Sequence, residues 1–162
     1  MANSDQWACS VPNWQAECSF EGVTPNNCRQ KECILVIDDE EGFLDILKMT
    51  LASQGYLVHT ASSPSEAIKL YGERWREISM VLLDHLLPEM SGDSVFENLQ
   101  RLNPDVRVVL LTACEESVAD KMLKKGLRGY LQKPFDFPDL AQKIREAINT
   151  PVVACSAAQW TA

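Results

Sequence analysis

Five short apolar runs, each ending at or just before a polar residue and each followed by a helix-like segment, constrain this chain more than any other feature. They are CILVI (33–37), YLVHT (56–60), MVLLD (80–84), RVVLLT (107–112) and GYLQ (129–132). A continuous run of four to six apolar residues suits a strand buried on both faces, as strands in a parallel sheet are. Between the runs, apolar residues recur at helical spacing. Phe43, Leu44, Leu47 and Leu51 mark one helix, and Gly55 is placed to end it. Ser63, Pro64 and Glu66 predict the start of a second helix, with a capping box. Val95, Phe96, Leu99 and Leu102 should face inward from a third. A fourth, EESVADKMLKKG, closes at Gly126, and a fifth repeats apolar residues at 140, 144 and 148. Strand–helix alternation repeated five times predicts an α/β fold with a parallel sheet covered on both faces.

The flanks differ. Residues 1–31 carry Trp7, Trp14, Pro12, Gly22 and Pro25 without helical or strand periodicity, and are expected to form a flexible extension. Residues 32–149 are expected to form the domain, and 150–162 a short tail, too short for an output domain. The start of the chain has neither a basic segment nor an apolar core of a secretory signal, and no stretch approaches a membrane span. A cytoplasmic protein without membrane insertion is expected. Its six cysteines, at 9, 18, 28, 33, 114 and 155, then read as free thiols, because their spacing lacks the paired pattern of zinc modules.

Charge narrows the function classes. With 23 acidic and 15 basic residues the net charge is -8, which argues against direct nucleic-acid binding, since a basic face is needed to replace phosphate counterions. In an open parallel sheet, ligands gather at the carboxyl ends of the strands. The polar residues at those ends are Asp38, Asp39 and Glu40, then Asp84, then Thr112, then Lys133 and Pro134. Two carboxylates about 4 Å apart repel by about 4 kcal/mol at an effective dielectric near 20. A hard cation, Mg2+ or Mn2+, offsets such repulsion with oxygen ligands. With Lys133 and the Thr112 hydroxyl beside it, the site suits a phosphoryl group, and Asp84 is the candidate nucleophile.

Four segments, VIDDEE (36–41), LLDHLLPEMSG (82–92), LLTA (110–113) and GYLQKPF (129–135), each stand at a strand end. In this order they resemble the receiver domain of bacterial two-component response regulators, over about residues 33–149. The resemblance implies a flavodoxin-like (βα)5 three-layer sandwich with strand order 2-1-3-4-5. It makes Asp84 the phosphoacceptor, and Asp38, Asp39, Asp84 and the Leu86 backbone carbonyl the metal site. Lys133 and Thr112 would stabilise the phosphoryl group, Lys133–Pro134 would be cis, and Thr112 with Tyr130 would form a switch pair acting on the face of helix four, strand five and helix five. Leu86 and Cys114 fall where the family tunes dephosphorylation. Neither side chain orients water well, so slow self-dephosphorylation is expected.

The implied partners are a sensor histidine kinase or phosphotransfer protein, a downstream protein and a second copy of the chain. The chain would be a stand-alone regulator or a receiver detached from a hybrid kinase, and no enzyme beyond taking up and slowly losing its own phosphoryl group. Other classes fit less well. An aspartate-nucleophile phosphatase needs a second Asp two residues after the nucleophile on strand one, where this chain has Glu40. A flavin-binding protein needs a first loop that welcomes phosphate, and Asp38-Asp39-Glu40-Glu41 repels it. A phosphorylation-independent interaction module remains the third alternative. His85 reads as a loop residue, His59 as structural at the end of strand two, and Lys121, Lys124 and Lys125 as a solvated face.

Overall fold

The computed structural model describes residues 31–113 and 116–150, with the main chain alone at 116–118. Five strands and five helices alternate through them. The strands are β1 (Cys33–Ile37), β2 (Leu57–Ala61), β3 (Ile78–Asp84), β4 (Val108–Thr112) and β5 (Gly129–Gln132). The helices are α1 (Glu41–Ser53), α2 (Pro64–Arg74), α3 (Gly92–Leu102), α4 (Glu116–Lys124) and α5 (Phe137–Asn149). All pairings are parallel and the order is β2-β1-β3-β4-β5, the flavodoxin-like arrangement expected from the sequence.

Period-two alternation divides β1 between two cores. Cys33, Leu35 and Ile37 face the layer of α2, α3 and α4, among Tyr71, Phe96 and Met122. Ile34 and Val36 face α1 and α5, among Leu47, Leu51, Leu140 and Ile144. All five β1 side chains are buried, and each large aliphatic one contributes about 1.5–3 kcal/mol. Among the described residues no helix is long and apolar enough to cross a membrane.

Local signals behave as the sequence predicts, with informative exceptions. Gly55 and Gly126 both take positive φ, and each terminates its helix by paired bonds: Gly55 to Ala52 with Tyr56 to Leu51, and Gly126 to Leu123 with Leu127 to Met122. Ser63 caps α2 by accepting from the Glu66 backbone N–H at 3.3 Å. Glu66, however, accepts from the N–H of Ser62 at 2.9 Å, one residue earlier than a capping box requires. The second strand runs over 57–61, not 56–60, so His59 lies mid-strand opposite Leu35, with its Nε2 3.4 Å from Nη1 of Arg74. Leu102, expected inward, is 44% exposed. It is the last residue of α3, and it lies over Gly72 of α2, which has no side chain to cover it. Apart from Lys31 and Thr150, the predicted extension and tail lie outside the described residues.

Candidate functional site

Main-chain bonds just beyond the regular strands hold the site residues. The N–H of Asp38 donates to Ala61 at 3.3 Å, that of His85 to Leu111 at 3.0 Å, and that of Lys133 to Thr112 at 2.8 Å. Each bond lies at the carboxyl end of its strand pair, so Asp38, Asp84, Thr112 and Lys133 leave the sheet at one edge with rigid backbones. Asp38, Asp84 and Thr112 are buried, while Asp39 is exposed.

Lys133 joins elements far apart in sequence. Its ammonium donates to Asp38 Oδ2 at 2.8 Å and to Asp84 Oδ1 at 2.9 Å. The other oxygens of these carboxylates are held by backbone: Glu40 N–H donates to Asp38 Oδ1 at 2.9 Å, and Leu86 N–H to Asp84 Oδ2 at 3.2 Å. Carboxylate oxygens of Asp38, Asp39 and Asp84 all lie within 4.8 Å of one another. Three carboxylates thus face one ammonium, and the excess of negative charge is partly buried. Burial pushes the Asp84 carboxyl above the ordinary aspartate value, with Asp38 adding to the rise and Lys133 opposing it. For Lys133, burial works to lower the ammonium's value. The hydrogen bonds and charges of Asp38 and Asp84 outweigh that, and the net direction is up. Burial therefore accounts for the direction at Asp84, and the surrounding carboxylates for the direction at Lys133.

This donor set fits a hard divalent cation. Oxygen ligands, two of them buried and already oriented, converge from two strand ends, and a cation offsets a repulsion that Lys133 alone leaves uncancelled.

The remaining sequence candidates divide. Thr112 is buried at the end of β4, and Tyr130, two residues from the end of β5, is half-buried against the core beneath α2, α3 and α4. Leu86 is 58% exposed, and the Lys133–Pro134 bond is cis. Cys114 lies outside the described residues. The Nδ1 of His85 is buried without a hydrogen-bond partner.

Two site residues escape a reading of the sequence alone. Gly92 approaches the turn after Asp84: a Cβ there would meet Asp84 O and His85 Cα at 3.0 Å, both backbone atoms. Its place between Ser91 and Asp93, opening a helix after a Pro-containing loop, is the available signal. Phe43 reads as part of a core-facing helix stripe, yet its ring centroid is 4.7 Å from Lys133 Nζ. A groove of about 480 Å3 opens at the opposite, amino edge of the sheet, lined by Trp75, Arg76, Asn103 and Arg107 among others, and none of Asp38, Asp39, Asp84, Thr112 and Lys133 lines it.

A family model described as the response regulator receiver domain matches residues 34–145. A solved receiver domain protein from Clostridium thermocellum is 34% identical, with a TM-score of 0.70 over 73% of this chain and 94% of that one. The response regulator TrrA of Thermotoga maritima, solved in complex with Mg2+ and BeF, is 30% identical, with a TM-score of 0.64 over 72% and 98%. The probable transcriptional regulator ycf27 of Porphyra purpurea is 37% identical over 74% of this chain and 49% of its own length. The chain spans between 12% and 49% of the first curated relatives it matches.

Proposed function

The chain belongs to the family of response regulator receiver domains, and we propose on that footing that it is the phosphoacceptor module of a two-component phosphorelay. The observation that carries this reading is the Lys133 ammonium bound to Asp38 and Asp84 together, beside a third carboxylate. The receiver unit is taken as residues 32–149. Asp38, Asp39 and Asp84, with the Leu86 carbonyl, would hold Mg2+ or Mn2+. Bound there, the ion would supply charge neutralisation for the carboxylates and for an incoming phosphoryl group.

Asp84 is the nucleophile. A bond forms between a carboxylate oxygen and phosphorus as the P–N bond of a phosphohistidine breaks, and the electron pair leaves with the imidazole nitrogen. Lys133, already paired with Asp84 Oδ1, is placed to follow the negative charge as it moves outward onto the phosphoryl oxygens. Leu86 N–H steadies the second oxygen of Asp84. Thr112 offers a hydroxyl to the phosphoryl group, and its shift, with Tyr130, would alter the face formed by α4, β5 and α5. The donor is a histidine kinase or phosphotransfer protein, and the readers of that face are a downstream protein or a second copy. Leu86 and Cys114 leave attacking water without a strong base, so the acyl phosphate should be long-lived.

Intact mass after incubation with Mg2+ and acetyl phosphate tests the reading. One added phosphoryl group on the parent and none on Asp84→Asn is expected. An unmodified parent that still binds Mg2+ would overturn transfer from small donors, and phosphotransfer from a phosphohistidine protein would then decide between acceptor and binding module.

A further inference from the structure

We propose that Phe43 is a positioning residue for Lys133, its ring face forming the third wall of the cage that holds the ammonium between Asp38 and Asp84. The inference rests on the phosphoacceptor reading above and goes beyond it by adding an uncharged residue to the machinery.

Two carboxylate oxygens take hydrogen bonds from Nζ at 2.8 and 2.9 Å, and the Phe43 centroid lies 4.7 Å away. That is within the range over which an aromatic quadrupole attracts a cation. The ring is itself held. Phe135 meets it edge-on, with centroids 6.1 Å apart and planes at 66°, the geometry in which a positive edge faces a negative face. Phe43 stands in the first turn of α1, just after the metal-site aspartates, and Phe135 two residues after Lys133. The aromatic pair therefore ties together the two segments that carry opposite charges in the site.

A ring suits this wall for a physical reason. Lys133 has a long stem with several rotatable bonds, and its side chain is still 26% exposed. A carboxylate at Phe43 would add a fourth negative charge, and a hydrogen-bond acceptor would compete with Asp84 for the ammonium. The ring attracts Nζ without directional bonds. It keeps water from one side while letting the ammonium slide as its partner changes from an Asp84 oxygen to a phosphoryl oxygen. An aliphatic side chain of similar bulk excludes water but attracts nothing.

The test uses the full chain with Phe43→Leu and the conservative Phe43→Tyr. Proton NMR without Mg2+ reads the Lys133 Hε signals, assigned by their loss in Lys133→Arg. Ring-current displacement in the parent, kept by Phe43→Tyr and abolished by Phe43→Leu, is expected. With Mg2+ and saturating acetyl phosphate, Phe43→Leu should then lower the first-order labelling rate about fivefold, the size of a partly desolvated cation–π contact. The half-saturating donor concentration should not change, and Phe43→Tyr should stay within about twofold of the parent. Affinity for Mg2+ with fluoroberyllate, which mimics the phosphoryl group, should fall by the same factor in Phe43→Leu alone. Parent-like labelling and fluoroberyllate binding in Phe43→Leu would overturn the proposal. Equal losses in both variants, tracking lowered unfolding midpoints, would overturn it too, since packing alone would explain them. If the parent accepts no phosphoryl group while its Lys133 signals still respond to Phe43→Leu, the phosphoacceptor reading fails and the contact survives it.

Discussion

The two edges of the sheet are made by the same five strands and use polar residues in opposite ways. At the amino edge, several polar side chains serve chain turns close by. Asn103 accepts from the N–H of Asp105 at 3.0 Å, and Arg76 stacks over its neighbour Trp75 at 4.8 Å. Charges of both signs, from Glu32, Glu77, Asp105, Arg76 and Arg107, surround an open groove. At the carboxyl edge, side-chain bonds join residues from β1, β3 and the end of β5, and the carboxylates outnumber the ammonium. The amino edge closes the fold, whereas the carboxyl edge holds charge that the fold alone does not neutralise. A difference of that kind is what a ligand-binding edge needs, because repulsion stored in the empty state is relieved by the ligand.

The sharpest way to break this contrast is to remove the one ammonium. Lys133→Met leaves Asp38 and Asp84 facing each other, both buried, with Asp39 beside them. Loss of one partner of a buried pair costs about 3 kcal/mol. Urea unfolding should show a loss of that order without Mg2+, and added Mg2+ should recover more stability in the variant than in the parent. Equal stability of variant and parent in metal-free buffer would mean that the edge holds no stored repulsion.

Backbone closeness separates the site from its surroundings in the same way. Gly92→Ala puts a methyl group 3.0 Å from two backbone atoms of the turn that carries Asp84, and overpacking of this kind costs about 2 kcal/mol. Gly42, near the start of α1, has nothing within 4 Å of the point where an alanine methyl would stand, so Gly42→Ala should stabilise by about 0.5–1 kcal/mol through helix propensity. Chemical denaturation of the two variants gives opposite signs if the turn after Asp84 is as tightly closed as the geometry indicates.

Much of this organisation is written in the chain, and where it is not, the reason is physical. β1, β3 and β4 are legible because each is a nearly unbroken apolar run, buried on both faces. β2 is an edge strand with an exposed start and half-buried middle, so its pattern is diluted and its boundary slips by one residue. Asp38, Asp84 and Lys133 stand out because polar residues that end apolar runs are conspicuous. Phe43 does not, because an apolar residue in the first turn of an amphipathic helix looks the same whether it meets Leu or a lysine. Only the fold brings Lys133 and Phe135 against it. Leu102 shows the converse: helical periodicity continues to the last residue of α3, but the neighbour that should cover it is Gly72.

Acidity offers a subtler probe of the same edge. The folded-state value of Asp84 is raised, so between its unfolded value near 3.8 and the folded one the native state holds the proton more tightly. Stability from this group is therefore present at lower pH and is lost as pH rises through that window. Asp84→Asn removes the penalty. The variant should be more stable than the parent at neutral pH without Mg2+, with the gap narrowing as pH falls toward 3.8. Thermal unfolding followed from neutral pH down to about 3.8 checks the sign. A variant less stable than the parent at neutral pH would show that the Lys133 pair outweighs burial.

The smallest expected effect belongs to the amino edge and is the control for all the others. Arg76 is exposed and sits over Trp75 at 4.8 Å, an arrangement worth about 0.5 kcal/mol at an exposed site. Arg76→Ala should therefore lower stability by about that amount, and it should do so equally with and without Mg2+. Its charge lies at the far end of the strands from Asp84, in a groove that shares no residue with the acidic cluster, and salt screens exposed charges beyond about 10 Å. Mg2+ affinity, measured by calorimetry, should match the parent. If Arg76→Ala instead shifted Mg2+ affinity severalfold, the two edges would be energetically coupled through the sheet. The sheet would then be more than a rigid support for one charged edge, because binding at its carboxyl end would be felt in the groove at its amino end.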